Sequence, residues 1–508
     1  MVAVPVPRRG GVLTEFTTRQ WLILATVQLA TLLFGMTVTM ANVILPQIKG
    51  ALSATSDEAA WVVTFNLVAT AVATPMTGWL AARFGWRRLM VGALSGFLLA
   101  SIACGLAPSL GMLVLARVAQ GAFGAPIMPL GQGMILASFE RRHHPLVLMF
   151  WGIGGVFGPV LGPVLGGIVA EALDWRWVFF MVAPFGVLAI VTALAALDDE
   201  EKRSGERLDW TGFLSLAIAM AAAQLLISRG QRLDWFDSPE IVIEAAVATV
   251  ALYVFVVRTL TAARPLLSPK LFLDRNFTIG LFAVFVMGWL SFTPIVLFPP
   301  LLQELRGYPD ATVGYLMAGR GIGNWISFLF VVQLTRYDAR LALALGFALQ
   351  ALAGWWMAQL DINMTAGSVF WSNTLQGVGF GLAYTPLATL SFATLDIRHM
   401  TQGSGFFNLL RNFGSGIFIS VSVLVLVRTS AQNYDRLRRV VSPFNELFSL
   451  PGAVGGWSLD SPALISGVAS EVQRQAAMAG YVNAFYLFAA AAALGIPMAF
   501  LFKLPRRS

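Results

Sequence analysis

Fourteen stretches of this chain are apolar for long enough to cross a bilayer as helices. They fall at roughly 20–45, 59–80, 89–107, 111–137, 146–170, 176–197, 210–228, 240–260, 277–303, 311–332, 341–360, 367–393, 403–427 and 480–502. Lipid offers the backbone no water, so each stretch must close its hydrogen bonds internally. The predicted fold is therefore an all-α polytopic membrane protein with 14 transmembrane helices. An even number of crossings puts both termini on one side. Arg8, Arg9 and Arg19 lead into the run from Trp21 without a cleavage-type site, which reads as an uncleaved first span rather than a signal peptide.

Several function classes fall away on composition. Only 12% of residues are charged, about half the share in a soluble protein. One cysteine, Cys104, excludes a disulfide framework, and three histidines leave little for a metal site. Lys49, Lys202, Lys270 and Lys503 are the only lysines, and none follows a glycine. A phosphate-binding Walker loop needs Gly-Lys, so ATP hydrolysis on this polypeptide is excluded. The expectation is a protein that is not an enzyme, with no cofactor and no nucleic-acid partner.

One span departs from a plain lipid anchor. Gly152-Ile-Gly-Gly-Val-Phe-Gly158-Pro159-Val-Leu-Gly162-Pro163-Val-Leu-Gly-Gly167 places seven glycines and two prolines in sixteen residues. Such a run breaks a helix in water but survives in lipid, where neighbouring helices re-satisfy the freed groups. Small residues three or four apart let another backbone come close. A simple dimerisation face would also use them. The two Gly-Pro steps four residues apart point instead to a bending gate helix.

Charge sets the orientation. With cytoplasmic termini, 21 Lys and Arg lie on that side and 10 on the other, five of the ten within the long segment 428–479. Long loops do not obey the rule, so cytoplasmic termini are expected. Spans seven and eight sit between charged loops, Asp198 to Arg203 and Arg264 to Arg275. They read as an insertion between an N-terminal six-helix bundle, 1–197, and a C-terminal one, 276–508, with 198–275 inserted. Val43-Ile-Leu-Pro46 and Ile295-Val-Leu-Phe-Pro299 echo each other across the halves, and duplicated halves around a midplane site are a common transporter plan.

Further motifs punctuate the spans. Gly78-Trp-Leu-Ala-Ala82-Arg83-Phe-Gly85-Trp-Arg87-Arg88 forms a tight basic turn that can clamp helix ends or simply anchor the loop. Arg117-Val-Ala-Gln120-Gly121 puts a guanidinium deep in an apolar helix, where it needs a partner or a watery cavity. Trp175-Arg-Trp177-Val-Phe-Phe180 reads as an interfacial aromatic belt. His143-His144, beside Glu140, Arg141 and Arg142, reads as a solvated basic loop.

Asn42-Val-Ile-Leu-Pro46, the Gly78–Arg88 turn, Arg117-Val-Ala-Gln120-Gly121, Gly158-Pro159-Val-Leu-Gly162-Pro163 and Trp175-Arg-Trp177-Val-Phe-Phe180 follow the order and spacing of the major facilitator superfamily. The chain resembles its 14-span drug:proton antiporters of the EmrB/QacA type. Arg275-Asn-Phe-Thr-Ile-Gly280, Leu301-Leu-Gln-Glu304 and Phe407-Asn-Leu-Leu-Arg411-Asn412 extend the likeness through the second half. The external segment with Ser442-Pro-Phe-Asn445 resembles the EmrB branch in particular. The resemblance implies proton-driven export of amphipathic molecules from a bacterial inner membrane by alternating access. It further implies a periplasmic adaptor and an outer-membrane channel as partners. It assigns gating to Gly78, Gly85, Arg87, Arg88, Gly158, Pro159, Gly162 and Pro163.

The chain departs from that family in its acids. Relatives usually carry an Asp in span one, where Thr37 stands here, and Ala82 replaces an Asp of the basic turn. No carboxylate falls mid-span in the twelve core spans, so proton coupling is expected at span ends, with Glu171, Asp174, Glu304 and Asp396 as candidates. The polar faces of the spans supply the expected substrate cavity: Thr37, Thr39, Asn42, Arg117, Gln120, Arg320, Asn324, Asn408 and Arg411. Two readings of its arginines stay open, helix-break ties or a positive chamber for an amphipathic anion. Phe34, Phe65, Trp289, Trp325, Trp371, Phe380 and Tyr384 are candidate apolar walls. An organic-anion importer or uniporter, or a non-pumping scaffold, are the alternative functions. Segment 428–479, with a helix expected from Pro462 to about Met478, is either an adaptor dock or a lid.

Overall fold

A computed structural model describes residues 16–198, 209–230, 233–263, 265–396, 399–441 and 462–504. Its long helices are α1 (Thr18–Val43), α2 (Ser56–Ala73), α3 (Trp86–Gly105), α4 (Leu110–Gly124), α5 (Ile127–Ser138), α6 (His144–Ala172) and α7 (Val182–Ala196). They continue as α8 (Trp210–Arg229), α9 (Pro239–Thr261), α10 (Arg275–Pro300), α11 (Asp310–Met357), α12 (Ala366–Phe392), α13 (Met400–Val440) and α14 (Pro462–Ala499). Among the described residues there is no strand.

Among the described residues, eleven helical segments are long and apolar enough to cross a membrane. This is consistent with fourteen crossings. The α11 helix breaks at Asp338, whose extended backbone (φ −153°, ψ 109°) separates two helices. The α2 and α12 helices pack within the same bundle but are more polar.

Polar residues at the helix starts fix where spans begin. Thr17 and Thr55 head capping boxes closed by Gln20 and Glu58. Asp274 accepts from the Phe277 N–H at 2.8 Å, and Thr365 from the Ser368 N–H at 3.1 Å. Gly85 ends the short helix Thr77–Phe84 with φ 81°, a conformation a side chain would strain. In α10, Pro299 and Pro300 remove two donors and the chain continues as a π-turn, Leu301–Leu305.

The N-terminal helices pack α1 on α6 and α7, α2 on α4, and α3 on α4. The C-terminal ones pack α10 on α13, α11 on α12 and α14, and α13 on α14. The inserted α8 lies against both α2 and α13, and the Ser420 hydroxyl donates to Ile227 O at 2.8 Å. Arg229 pairs with Glu240 and, at 3.5 Å, Glu244, while Arg258 pairs with Asp209 at 3.0 Å. These ion pairs staple α9 to α8 at both ends.

Three sequence expectations change. The helix from Pro462 does not stop near Met478 but runs unbroken into the last span as α14; nothing between carries a Pro or a turn pair to end it. Asp460 and Ser461 lie outside the described residues, as does Ser442 to Asn445. His143 and His144 are buried rather than solvated, one edge-on to Phe16 and the other with Nε2 3.1 Å from Phe139 O. Trp175 is buried too, so only Trp177 of that motif stands exposed as a belt residue would.

Candidate functional site

The two halves meet at two levels, and the difference between them defines the site. At the end of the bundle carrying the termini, Arg141 reaches across and donates to Ala393 O (2.7 Å) and Leu395 O (3.2 Å), just past the end of α12. One layer deeper, the Gln132 carbonyl on α5 accepts from the Ser404 hydroxyl and the Asn408 amide of α13, both at 2.7 Å. Gly78 lies against Gln402, so an added Cβ would sit 3.2 Å from its Cα. This end is sealed by polar contacts between halves.

Beyond the seal lies a chamber of about 330 Å³. Its walls come from α1 (Phe34, Gly35, Val38, Thr39, Asn42), α2 (Val63, Leu67, Thr70), α6 (Gly155, Pro159), α10 (Ser291, Ile295, Val296), α11 (Arg320), α12 (Phe380) and α13 (Leu409, Arg411, Asn412, Ser415, Ile419). The inserted α8 contributes Met220 and Gln224. Among the described residues no carboxylate lines it. Its fixed charges are Arg320 and Arg411, 3% and 8% exposed.

Those two arginines bracket an aromatic pair. The Arg320 guanidinium carbon lies 5.3 Å from the Phe380 ring centre, Phe380 stacks on Tyr384 at 5.6 Å, and Arg411 sits 5.8 Å from the Tyr384 ring. Arg411 also donates to the Tyr384 hydroxyl at 3.1 Å. A ring face attracts a guanidinium, so this ladder holds both cations in place without neutralising them.

The predicted cavity residues divide into three groups. Thr39, Asn42, Arg320 and Arg411 line the chamber. Thr37, Arg117 and Gln120 lie away from it. The Thr37 hydroxyl is turned back on Phe34 O at 2.9 Å. Arg117, fully buried over the Phe179 ring, donates to Val62 O (3.1 Å) and Thr37 O (3.3 Å) and bonds Gln120, which in turn donates to Ser101 at 2.7 Å. It ties α4 to α1 and α2. Asn324 packs against Gly381 of α12 and Asn408 belongs to the seal, so neither reaches the chamber. Of the candidate walls, Phe34 and Phe380 line it, whereas Trp325 and Trp371 are exposed on the bundle surface.

The gate candidates concentrate on one contact. A Cβ on Gly158 would meet Leu32 O at 2.6 Å, and one on Gly162 would meet Met36 O at 2.6 Å. The glycines bring the α6 and α1 backbones together, and Pro159, in the same wall, faces Gly35. Pro163 lies within α6 one turn further on. Arg87 donates to Leu194 O at 3.3 Å, within its own half, and Arg88 begins α3 beside Gly85. The acids Glu171, Asp174, Glu304 and Asp396 are all exposed at helix ends, and Asp174 accepts from the Arg176 N–H at 2.8 Å.

Sequence reasoning missed Gln132, Met220 and Gln224. A glutamine inside an apolar helix was the available signal for Gln132 and Gln224, because lipid tolerates an amide only where it finds a partner or a cavity.

Known proteins carry the same pattern. Residues 27–419 match the Major Facilitator Superfamily. The chain belongs to this superfamily. Its relatives include the multidrug export protein EmrB of Escherichia coli K12, 32% identical over 82% of each chain. The fatty acid resistance protein FarB of Neisseria gonorrhoeae is 31% identical over 80% of this chain and 81% of its own. The EmrB of Haemophilus influenzae is 29% identical over 95% and 94%. Within the superfamily the chain is therefore of the EmrB type. The fold also aligns with the human organic anion transporter MFSD10, TM-score 0.61 at 12% identity, over 94% of this chain and 99% of that one.

Proposed function

We propose that this protein is a proton-coupled exporter of amphipathic small molecules, working by alternating access in a bacterial inner membrane with both termini cytoplasmic. The observation that carries this reading is the chamber between the halves, sealed at the terminal end by Arg141 and Gln132 and walled mainly by apolar side chains. Such a geometry suits release on the side away from the termini. Relatives named for multidrug export and fatty acid resistance support the substrate class, and the Lys/Arg asymmetry supports the orientation. The EmrB-type likeness supports a periplasmic adaptor and outer-membrane channel as partners.

Sealed inverted vesicles test the activity. With an imposed pH gradient, adding an exported amphiphile should discharge part of the gradient in vesicles holding the protein and leave control vesicles unchanged. Substrate equilibration that ignores the pH gradient would make the protein a uniporter. No substrate movement at all would make it a scaffold. A deletion strain should be sensitised to toxic amphiphiles, and the pattern of sensitisation would name the substrates.

A further inference from the structure

The segment between α9 and α10 does not run over the surface as a connecting loop ordinarily does. Leu266 and Leu267 are 8% and 3% exposed. They share an apolar cluster with Phe213 and Met220 of α8 and Leu409 of α13, and Met76 and Trp79 of the N-terminal half pack against the same cluster. Pro265 and Pro269 flank the pair and bring no backbone N–H that burial would strand. The C-terminal half holds the segment directly. The Gln402 amide donates to Leu266 O, the Thr278 hydroxyl donates to Phe272 O at 2.7 Å, and the Phe272 ring meets Phe406 edge-on at 5.3 Å. Just past the segment, Asp274 accepts from the Thr394 hydroxyl at 2.8 Å, and the neighbours of Thr394 carry the two carbonyls that Arg141 takes from the other half. Gln402 is also the residue that Gly78 lies against.

We infer that residues 265–273 form a strap that holds the terminal end of the bundle closed, and that Leu266 and Leu267 must part from the N-terminal half before that end can open. This rests on the alternating-access reading above and adds the element that sets its resting state. The two sides of the strap are unlike. Toward the C-terminal half it is fixed by the Gln402 bond, the Phe272–Phe406 contact and its covalent run into α10. Toward Met76 and Trp79 it offers apolar side chains, whose attraction is non-directional and is lost when the halves part and water enters. The strap therefore travels with α10 and α13, and the contact that breaks is the one with the N-terminal half. Burial of the two leucines weights the equilibrium toward the closed end, because only that state keeps them from water.

Two cysteine probes in the full-length protein in nanodiscs decide it. One is Ser404→Cys in the seal, the other Asn42→Cys in the chamber wall, where Asn42 is exposed. Leu266→Ala together with Leu267→Ala should speed maleimide labelling of the seal probe about tenfold or more and slow that of the chamber probe. Faster labelling of both probes would mean general loosening and overturn the inference, as would an unchanged rate at the seal. Leu302→Ala removes a fully buried leucine from a separate cluster and should leave both rates near wild type. The same reciprocal shift from Leu302→Ala would overturn the strap too. Trp79→Ala keeps the strap itself intact and should act as the leucine pair does. Adding it to the pair should bring little more, because both remove one contact. Full additivity would put Trp79 and the leucines in separate contacts and overturn the inference. The export reading fails separately. A reciprocal labelling shift without any response in the vesicle assay would sink export and keep the strap. A normal vesicle response with no labelling shift would sink the strap and keep export.

Discussion

A buried arginine stabilises a membrane bundle only when its donors are used, and this chain holds both cases. Arg117 uses Nε and Nη1 on carbonyls of α1 and α2, and only its Nη2 makes no hydrogen bond among the described residues. Arg117→Met should therefore destabilise the protein by about 1–3 kcal/mol, seen as a lower melting temperature in detergent. Arg320 has donors to spare, and an unpaired buried charge is often better replaced by an apolar group of similar size. Arg320→Met should leave the melting temperature equal or higher while weakening substrate binding. A fall as large as that of Arg117→Met would show that Arg320 is a structural tie instead. The acids pose the complementary problem. Thr37 spends its hydroxyl on its own helix, and Glu171, Asp174, Glu304 and Asp396 stand exposed at helix ends. Neutralising each in turn should yield one variant that binds substrate yet cannot concentrate it against a gradient. If all four pump normally, the proton travels elsewhere.

Among the helices, α6 and α1 form the tightest joint in the N-terminal half. Gly158 and Gly162 leave no room for even a methyl group against Leu32 and Met36 carbonyls. Gly158→Leu or Gly162→Leu should abolish transport in vesicles at unchanged membrane abundance, because α6 would be forced off α1. Normal transport by both would remove the gate role. The inserted α8 is bound into the structure between α2 and α13 and presents Gln224 to the chamber, whereas α9 buries only Ile241, Ala251, Phe255 and Thr259. Position in sequence marked the pair as an addition. Packing makes one of them part of the wall and leaves the other on the outside.

For the molecule as a whole, the inter-half seal must open for transport to proceed. Arg141→Ala removes the bonds to Ala393 and Leu395 carbonyls, which should raise the fraction open at the terminal end. The single native cysteine, Cys104, is fully buried, so a Ser404→Cys probe reports with little background. Maleimide labelling of that probe should accelerate several-fold in the Arg141→Ala background, and an unchanged rate would show that Arg141 is no latch. At the other end, α13 and α14 run 41 and 38 residues, on the order of 60 Å at 1.5 Å per residue. Both exceed the roughly 30 Å apolar thickness of a bilayer. Their overhang carries Arg436, Arg438 and Arg439 exposed, Arg438 paired to Asp435 at 3.1 Å. Replacing residues 440–460 with a Gly/Ser linker should abolish co-purification of a periplasmic adaptor and whole-cell resistance while purified protein still binds substrate. Retention of the adaptor by the shortened protein would leave a stand-alone exporter.

Length and hydropathy were enough to predict that helices cross a membrane and roughly where each one runs. Thr17, Thr55, Asp274 and Thr365 act through neighbours three residues away, and such signals are local. The Gly158–Gly162 spacing announced a close helix approach for the same reason. Which helix faces meet was not local information. Lipid makes both sides of a span apolar, so periodicity cannot say which side looks inward. Thr37 and Thr39 are two residues apart, yet one bonds its own helix and the other lines the chamber. Arg117, Arg320 and Arg411 look alike in sequence. Only the tertiary packing decided that the first finds carbonyls of other helices and the other two line the chamber, because that depends on backbone groups 50 or more residues away, as with Val62 and Thr37.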